Sequence, residues 1–448
     1  MAQATALSAT RPLPPGSLGL PWVGETLAFL GDAASFFESR SRRHGPVFKT
    51  RILGDNVVCF VGPDALSFFL DDRVFTRENS SPPHVQQLFH PKAVPFMDGP
   101  AFTRRKALLM QAFTPAALDQ YAATIERVMN RYAARWAERR AFAWAPELGA
   151  MSLTIADALF TGADPDIDDP SLQTTFAALS RGVLSVPIDL PLTPYHQALK
   201  ARDVLVARVD RAVAAHRQGP RPPSLLSRLI DARDPSGDAL SDEELQIEMF
   251  HFFSAYSGVY AALAWQALFL ARSPEVTERL RAEVASVAPA GPLSVAALKQ
   301  LPFLDQVCKE VRRAQPIVAL TFFATVKEDA EFGGCRIPKG WKAVGGLAAT
   351  MQDERVFTHP ERFDPDRFGA ARAEDRRHDH AWVPHGGGDP TRTHRCAGEA
   401  LATMMMKAFG VLMARGYAWT VPEQDLSPTR GGLFPVPTDG LKVEFTGR

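Results

Sequence analysis

Cys396 carries the most chemical potential in the chain. It follows His394-Arg395, comes shortly after the run Gly386-Gly387-Gly388, and immediately precedes an apolar segment with helical periodicity over about 397–414. A sulfur at a helix amino terminus feels the positive end of the helix dipole and the first free amides, which favours thiolate over thiol. His394 and Arg395 add positive potential. A thiolate so placed is a nucleophile or a metal ligand. The glycine run permits an irregular backbone path, which Asp389-Pro390 prolongs. Several chemistries compete here. A structural cysteine would not need the glycine loop or the basic neighbours. Zinc is conceivable because His378, His380, His385 and His394 lie close in sequence, although paired short spacings that would close a tetrahedron are missing. A phosphate cradle would require a strand-to-helix turn ending in Gly-Lys-Ser/Thr. A thiolate ligand to haem iron, which pushes electron density onto the metal and favours O–O cleavage, is the remaining option.

A second feature lies upstream. Glu310 and Arg313 are three residues apart on a helix that Pro316 ends, so both side chains share one face and can pair. The segment His359–Phe368, HPERFDPDRF, follows before the glycine loop. Alone, a Glu-x-x-Arg pair is an ordinary surface salt bridge; the order of the segments is less ordinary.

The elements that must position these residues are mostly helical. Periodicity of helical type runs from Thr114 to Leu280, broken by proline-rich stretches near Pro165, Pro187–Pro194 and Pro220–Pro223. Short β-type runs flank Gly54-Asp55 and return near 322–326, 335–337 and the carboxy-terminal GLKVEF. Ser241-Asp-Glu-Glu244 reads as a capping box that opens a long helix expected to reach about Ala271. Between Met249 and Leu270 that helix has no formally charged residue, so it must be buried on nearly every side. Gly258 sits in its middle, where glycine costs about 0.5–1 kcal/mol against alanine. Close helix packing or a ligand pressed against the helix would explain it.

Whole-chain arithmetic narrows the class. The 448 residues carry 50 basic and 50 acidic side chains, so the basic field that nucleic-acid binding needs is missing. An apolar content of 46% supports a large core and excludes disorder. The four cysteines, Cys59, Cys308, Cys335 and Cys396, show no disulfide or zinc framework. The best apolar run, 18–36, is broken by Pro21, Glu25 and Asp32, and resembles neither a membrane span nor a signal peptide. The expectation is a cytoplasmic, monomeric protein: a flexible lead-in over 1–20 and one mainly α domain with small sheets over 21–448.

With these motifs in this order, the chain resembles the cytochromes P450 over nearly its full length. Glu310 and Arg313 match that family's Glu-x-x-Arg, Arg362 in Pro360-Glu-Arg-Phe matches its third structural partner, and Cys396 in HRCAGE matches the axial cysteine. The resemblance implies a large helical domain in which a haem b is buried between the long central helix and the cysteine loop. A narrower resemblance is to the bacterial fatty-acid peroxygenases, carried by the extended loop PHGGGDPTRTHRCAGE, by FTRENSSPP (Phe75–Pro83), by Met97-Asp98-Gly99 followed by Arg104-Arg105-Lys106, and by EVRRAQP (Glu310–Pro316). It implies hydrogen peroxide as oxidant and a substrate carboxylate doing acid–base work.

The distal helix departs from both patterns. Ser257 and Gly258 fall where oxygen-activating members carry an acid and an alcohol and where the peroxygenases carry Arg-Pro, while Pro95 replaces the Gln or His before Met97. The resemblance further assigns haem contacts to His394 and to Lys106 or Arg105. It assigns pocket walls to Val94, Pro95, Phe96, Tyr256, Ile317, Phe322 and Phe323. The expectation is therefore a peroxygenase-like haem-thiolate oxygenase acting on an apolar small molecule with substrate-assisted proton handling. The alternatives are an O2- and NAD(P)H-dependent monooxygenase served by a ferredoxin-type donor at the basic face near Arg392 and Arg395, and a non-catalytic haem protein.

Overall fold

The computed structural model describes residues 11–256, 258–430 and 433–447. Helices carry the centre of the chain. The longest, Pro115–Arg139 and Pro194–Gln218, both begin at a threonine whose side chain caps the first turn, followed by proline at the first helical position. The apolar helices Trp144–Thr161, Asp242–Tyr256, Val259–Arg272 and Glu399–Gly416 share one hydrophobic cluster that runs from Leu88 to Phe445. Among the described residues no helix is long and apolar enough to cross a membrane.

Three sheets form among the described residues, the smallest a hairpin of Ala330–Phe332 and Cys335–Ile337. In the five-stranded sheet the order is Val47–Ile52, Asp55–Phe60, Lys342–Gly345, Ala324–Val326, Phe75–Thr76, and its one parallel pairing registers Val57 on Lys342. The first two strands form a hairpin whose turn residues, Leu53 and Gly54, both have positive φ, as the tight turns that match strand twist require. Near the carboxy terminus Lys442–Gly447 lies between Ala141–Ala143 and Tyr417–Thr420.

Two expectations change. Residues 11–16 are tied down: the Lys49 amide donates to Pro15 O, Lys49 Nζ donates to Pro14 O, and Arg11 pairs with Glu331. The sequence missed this because the partners are remote backbone groups; the rest of the lead-in's first half, 1–10, lies outside the described residues. The long central helix is also two helices. Its capping box forms as expected, Ser241 N donating to Glu244 Oε2 at 2.8 Å and Glu244 N to Ser241 Oγ at 3.2 Å. It ends at Tyr256, and a second helix starts at Val259, with Gly258 between them. Ser257 lies outside the described residues.

Candidate active site

The Cys396 loop is built by backbone contacts that only glycine permits. Gly386 and Gly388 have φ of +86° and +85°. Gly387 has no room for a side chain, since a Cβ there would come within 2.5 Å of His380 Cδ2 and 2.6 Å of Leu70 Cδ1. Thr393 Oγ1 donates to Gly387 O and Asp389 O, closing the loop on itself. Cys396 N donates to His385 O at 2.9 Å, and Arg395 makes a bidentate pair with Glu399 in the first turn of the Glu399–Gly416 helix. That helix starts slightly later than expected and holds the sulfur just ahead of its amino terminus.

The Cys396 thiol has open surface although it lies deep in the fold, so it faces an internal space. Burial raises its pKa above the usual thiol value, while the amides of Gly398 and Glu399 and the Lys106 ammonium pull it down. The helix terminus alone therefore does not make this sulfur a free thiolate. A bound cation would deprotonate it outright.

Lys106 is the cation nearest in influence to this sulfur, and His394 and Arg77 lie beyond it. Lys106 Nζ donates to Arg395 O at 2.5 Å, and burial lowers its pKa. His394 stacks on Phe102 with ring centroids 4.3 Å apart, and its Nε2 meets Met97 O at 2.9 Å. Burial, then the nearby Arg77, pushes the His394 pKa down to about 4, so the ring is neutral at pH 7. Arg77 is buried over the Phe69 ring with one guanidinium nitrogen on Phe69 O, and its Nη1 has no hydrogen-bond partner among the described residues. Asp98, which accepts from Thr76 Oγ1 and Arg77 N, shapes the same corner. Arg77 lies within FTRENSSPP, and nothing in that local string marks it as functional. Burying an arginine with an unpaired nitrogen is costly unless an anion meets it.

These residues fit a haem b. A soft sulfur facing an interior space suits the iron, and Lys106 and Arg77 suit carboxylate side chains of the macrocycle, whereas the single proton of neutral His394 is committed to Met97 O. Arg105, the alternative to Lys106, is turned away. It is sequestered by Glu244 at 2.7 Å and Glu248 at 2.9 Å, which ties the Gly99–Met110 helix to Asp242–Tyr256. Lys106→Met should therefore speed haem loss to apomyoglobin by about tenfold, whereas an arginine there should restore retention.

The expected pocket set splits. Phe96 is buried and meets Phe322 edge-on, ring centroids 5.2 Å apart. Val94 and Ile317 belong to or pack on the main core, and half-buried Pro95 lies between Val94 and Phe96 in a single 3-10 turn. Phe323, next in an extended segment to Phe322, instead meets Phe29 in the amino-terminal cluster, because successive side chains point to opposite faces. Tyr256 turns edge-on to Phe160, and burial pushes its phenol pKa far up, which makes it a helix-packing residue and a poor proton donor. His251 pairs with Glu248, a carboxylate with no exposed surface that also accepts from Val94 N.

The structural triad also needs correcting. Glu310 binds Arg313 at 2.7 and 2.9 Å, as expected, but the second arginine on it is Arg367, at 3.0 Å. All three side chains are fully buried, and Arg367 also pairs with buried Glu374 at 2.8 Å. The Arg362 side chain is largely exposed, and only its carbonyl joins the network, accepting from Arg313 and Arg367. Both arginines stand before a phenylalanine. A single 3-10 turn, Pro365–Phe368, capped by Asp364, points the second one inward.

Comparison with known proteins agrees with this geometry. The cytochrome P450 family model matches residues 14–445. The chain is 33% identical over 443 residues to a putative cytochrome P450 120 of Synechocystis sp., covering 97% of each chain, and 29% identical to abscisic acid 8'-hydroxylase 1 of Oryza sativa, covering 97% of this chain and 91% of that one. A solved structure described as retinoic acid-bound cyanobacterial CYP120A1 superposes with a TM-score of 0.89 at 32% identity, covering 98% of this chain and all of the other. CYP152B1, of the peroxygenase branch suggested by the loop, superposes with a TM-score of 0.80 at 24% identity, covering 95% and 99%; that is a likeness of fold alone. With its thiol, its buried Glu-Arg-Arg cluster and nearly its whole length accounted for, the chain belongs to the cytochrome P450 family and is a haem-thiolate oxidoreductase.

Proposed function

We propose that this oxygenase hydroxylates an extended, apolar, terpenoid-type carboxylic acid, using O2 and electrons from a separate ferredoxin-type donor. The observation that carries the reading is a pairing of similarity and absence. The full-length relatives at 29–33% identity include a hydroxylase of abscisic acid, and the similar solved structure holds retinoic acid; both are apolar terpenoid acids. Meanwhile the Arg-Pro pair whose arginine holds a fatty-acid carboxylate in the peroxygenases is missing between Gln246 and Ala271, and Pro95 stands where they have Gln or His. We read residues 21–448 as one catalytic unit.

When bound, the haem supplies oxygen activation at the iron. The chain's own groups do the rest. Cys396 would hold the iron and Lys106 and Arg77 the carboxylates of the macrocycle, while Val94, Phe96, Ile317 and Phe322 would offer an apolar wall that orients the substrate by shape and excludes water. Arg105 and Glu248 neutralise each other and take no part in substrate binding.

The extended loop Gly386–Asp389 favours a second reading, peroxide-driven turnover of the same class of acid. One experiment separates them. Ferric holoenzyme is incubated with retinoic acid, either with dilute hydrogen peroxide or with NADPH, a ferredoxin and its reductase, and products are identified. Hydroxylated acid is expected only with the electron-transfer chain. Product from peroxide at equal or higher rate would give the second reading, and no product or optical shift with either would remove the substrate class.

A further inference from the structure

By the resemblance read from the sequence, Gly258 takes the place of an alcohol in oxygen-activating members of the family, and its backbone gives no reason for glycine. Its φ of −77° and ψ of −15° suit any residue. Space is the reason. A Cβ at this position would lie 2.7 and 2.8 Å from Cε1 and Cδ1 of Phe434 and 3.1 Å from Cγ2 of Ile317. The Phe434 ring therefore fills the notch that a side chain at 258 would need, at the break between Asp242–Tyr256 and Val259–Arg272.

The ring has little freedom to leave. Phe434 belongs to a carboxy-terminal hairpin in which Thr429 N donates to Val436 O, Val436 N to Thr429 Oγ1, and Thr438 N to Ser427 O. Trp265 Nε1, two turns along the second helix, donates to Pro435 O at 2.8 Å and ties the hairpin to that helix. Leu433 and Val436, on either side, pack on the main core. The backbone around Phe434 is thus pinned on both flanks, and only rotation of its own side chain could relieve an intrusion. Overpacking of such a site forces a neighbour off its preferred rotamer.

We propose that Phe434 is a specificity-determining residue of the distal cavity. Seated on Gly258 against Ile317, it replaces the relay alcohol with an aromatic wall that limits the size of ligands reaching the iron and excludes water from the helix break. This rests on the oxygenase reading above for the location of the cavity, but not on which oxidant is used. It also explains why an alcohol added at 258 alone has no room to act: the residue it must displace comes from the far end of the chain.

The test uses ferric holoenzyme and two iron ligands that differ by one ring, imidazole and 4-phenylimidazole, titrated optically without turnover. Phe434→Ala should lower the ratio of the 4-phenylimidazole Kd to the imidazole Kd by about tenfold, and Phe434→Leu should lower it in the same direction by less. Gly258→Ala should raise the ratio and lower the thermal midpoint. In the Phe434→Ala background the same change should leave the ratio within about twofold and cost little further stability, because a coupled pair is not additive. A ratio within about twofold of wild type in both Phe434 variants, or a Gly258→Ala effect of equal size with and without Phe434, would overturn the proposal. Neither result depends on which oxidant supports catalysis.

Discussion

Replacing Cys396 with serine will leave a protein that loses the red-shifted ferrous–carbonyl absorption of a thiolate haem and falls in oxygenase turnover by about three orders of magnitude or more, which is about 4 kcal/mol of barrier. The reasoning starts from the environment of the sulfur. Burial alone holds the thiol in its protonated form, and the Gly398 and Glu399 amides with Lys106 only partly oppose it. The surrounding loop is therefore prepared for an anion that a metal stabilises. Serine keeps the size of the side chain, and the Cys396 amide that donates to His385 O is unchanged. The loop should keep its shape while the iron loses the electron density that a sulfur donates. Retention of the thiolate spectrum in the variant would mean that another cysteine reaches the iron. Cys59 and Cys308 are buried, with pKa values raised by burial, and serve as core packing.

The second large effect concerns stability and tells two arginines apart. Arg367→Ala should destabilise the folded state by about 3–5 kcal/mol, because it leaves Glu310 and Glu374 buried with too little positive charge. Arg362→Ala should cost less than about 0.5 kcal/mol, since an exposed side chain is removed and its carbonyl, which is the part that joins the network, stays. Glu310→Gln should resemble Arg367→Ala, as it strands Arg313 and Arg367 together. Denaturant midpoints of the holoproteins, read alongside haem retention, check all three. Equal losses for the two arginine variants would show that the exposed residue carries structural weight that its contacts do not explain. The cluster joins the Pro302–Ala314 helix to the 358–374 segment that leads toward the cysteine loop. Its loss should therefore appear as poorer haem retention as well as a lower midpoint.

Much of the site was legible because its signals are local. A cysteine before an apolar helix, three glycines ahead of it, a capping box and a Glu-x-x-Arg pair are each fixed by groups a few residues apart. Backbone geometry and helical periodicity act over that range whatever the rest of the chain does. The capping box formed with the bonds expected, and the glycine loop owes its conformation to positive φ and close approach. The narrower resemblance to peroxygenases rested on the same kind of local string, and over the full length it meets CYP152B1 as a likeness of fold alone.

What failed to be legible depends on side chains meeting across the fold. Arg362 and Arg367 each precede phenylalanine, and nothing near either says which one turns inward; a capped 3-10 turn and the buried carboxylates of Glu310 and Glu374 decide it. Phe322 and Phe323 are equally apolar, but the extended backbone sends one to Phe96 and the other to Phe29. Short-range spacing alone carried the family, the helical character and the expectation that Cys396 binds iron. Folding of the whole chain, by contrast, puts Arg77 near His394 with its Nη1 unpaired among the described residues, commits Arg105 to Glu244 and Glu248, and seats Phe434 on Gly258. Each of those outcomes depends on which remote group fills a given volume or neutralises a given charge, and close packing settles that only when the whole chain has folded.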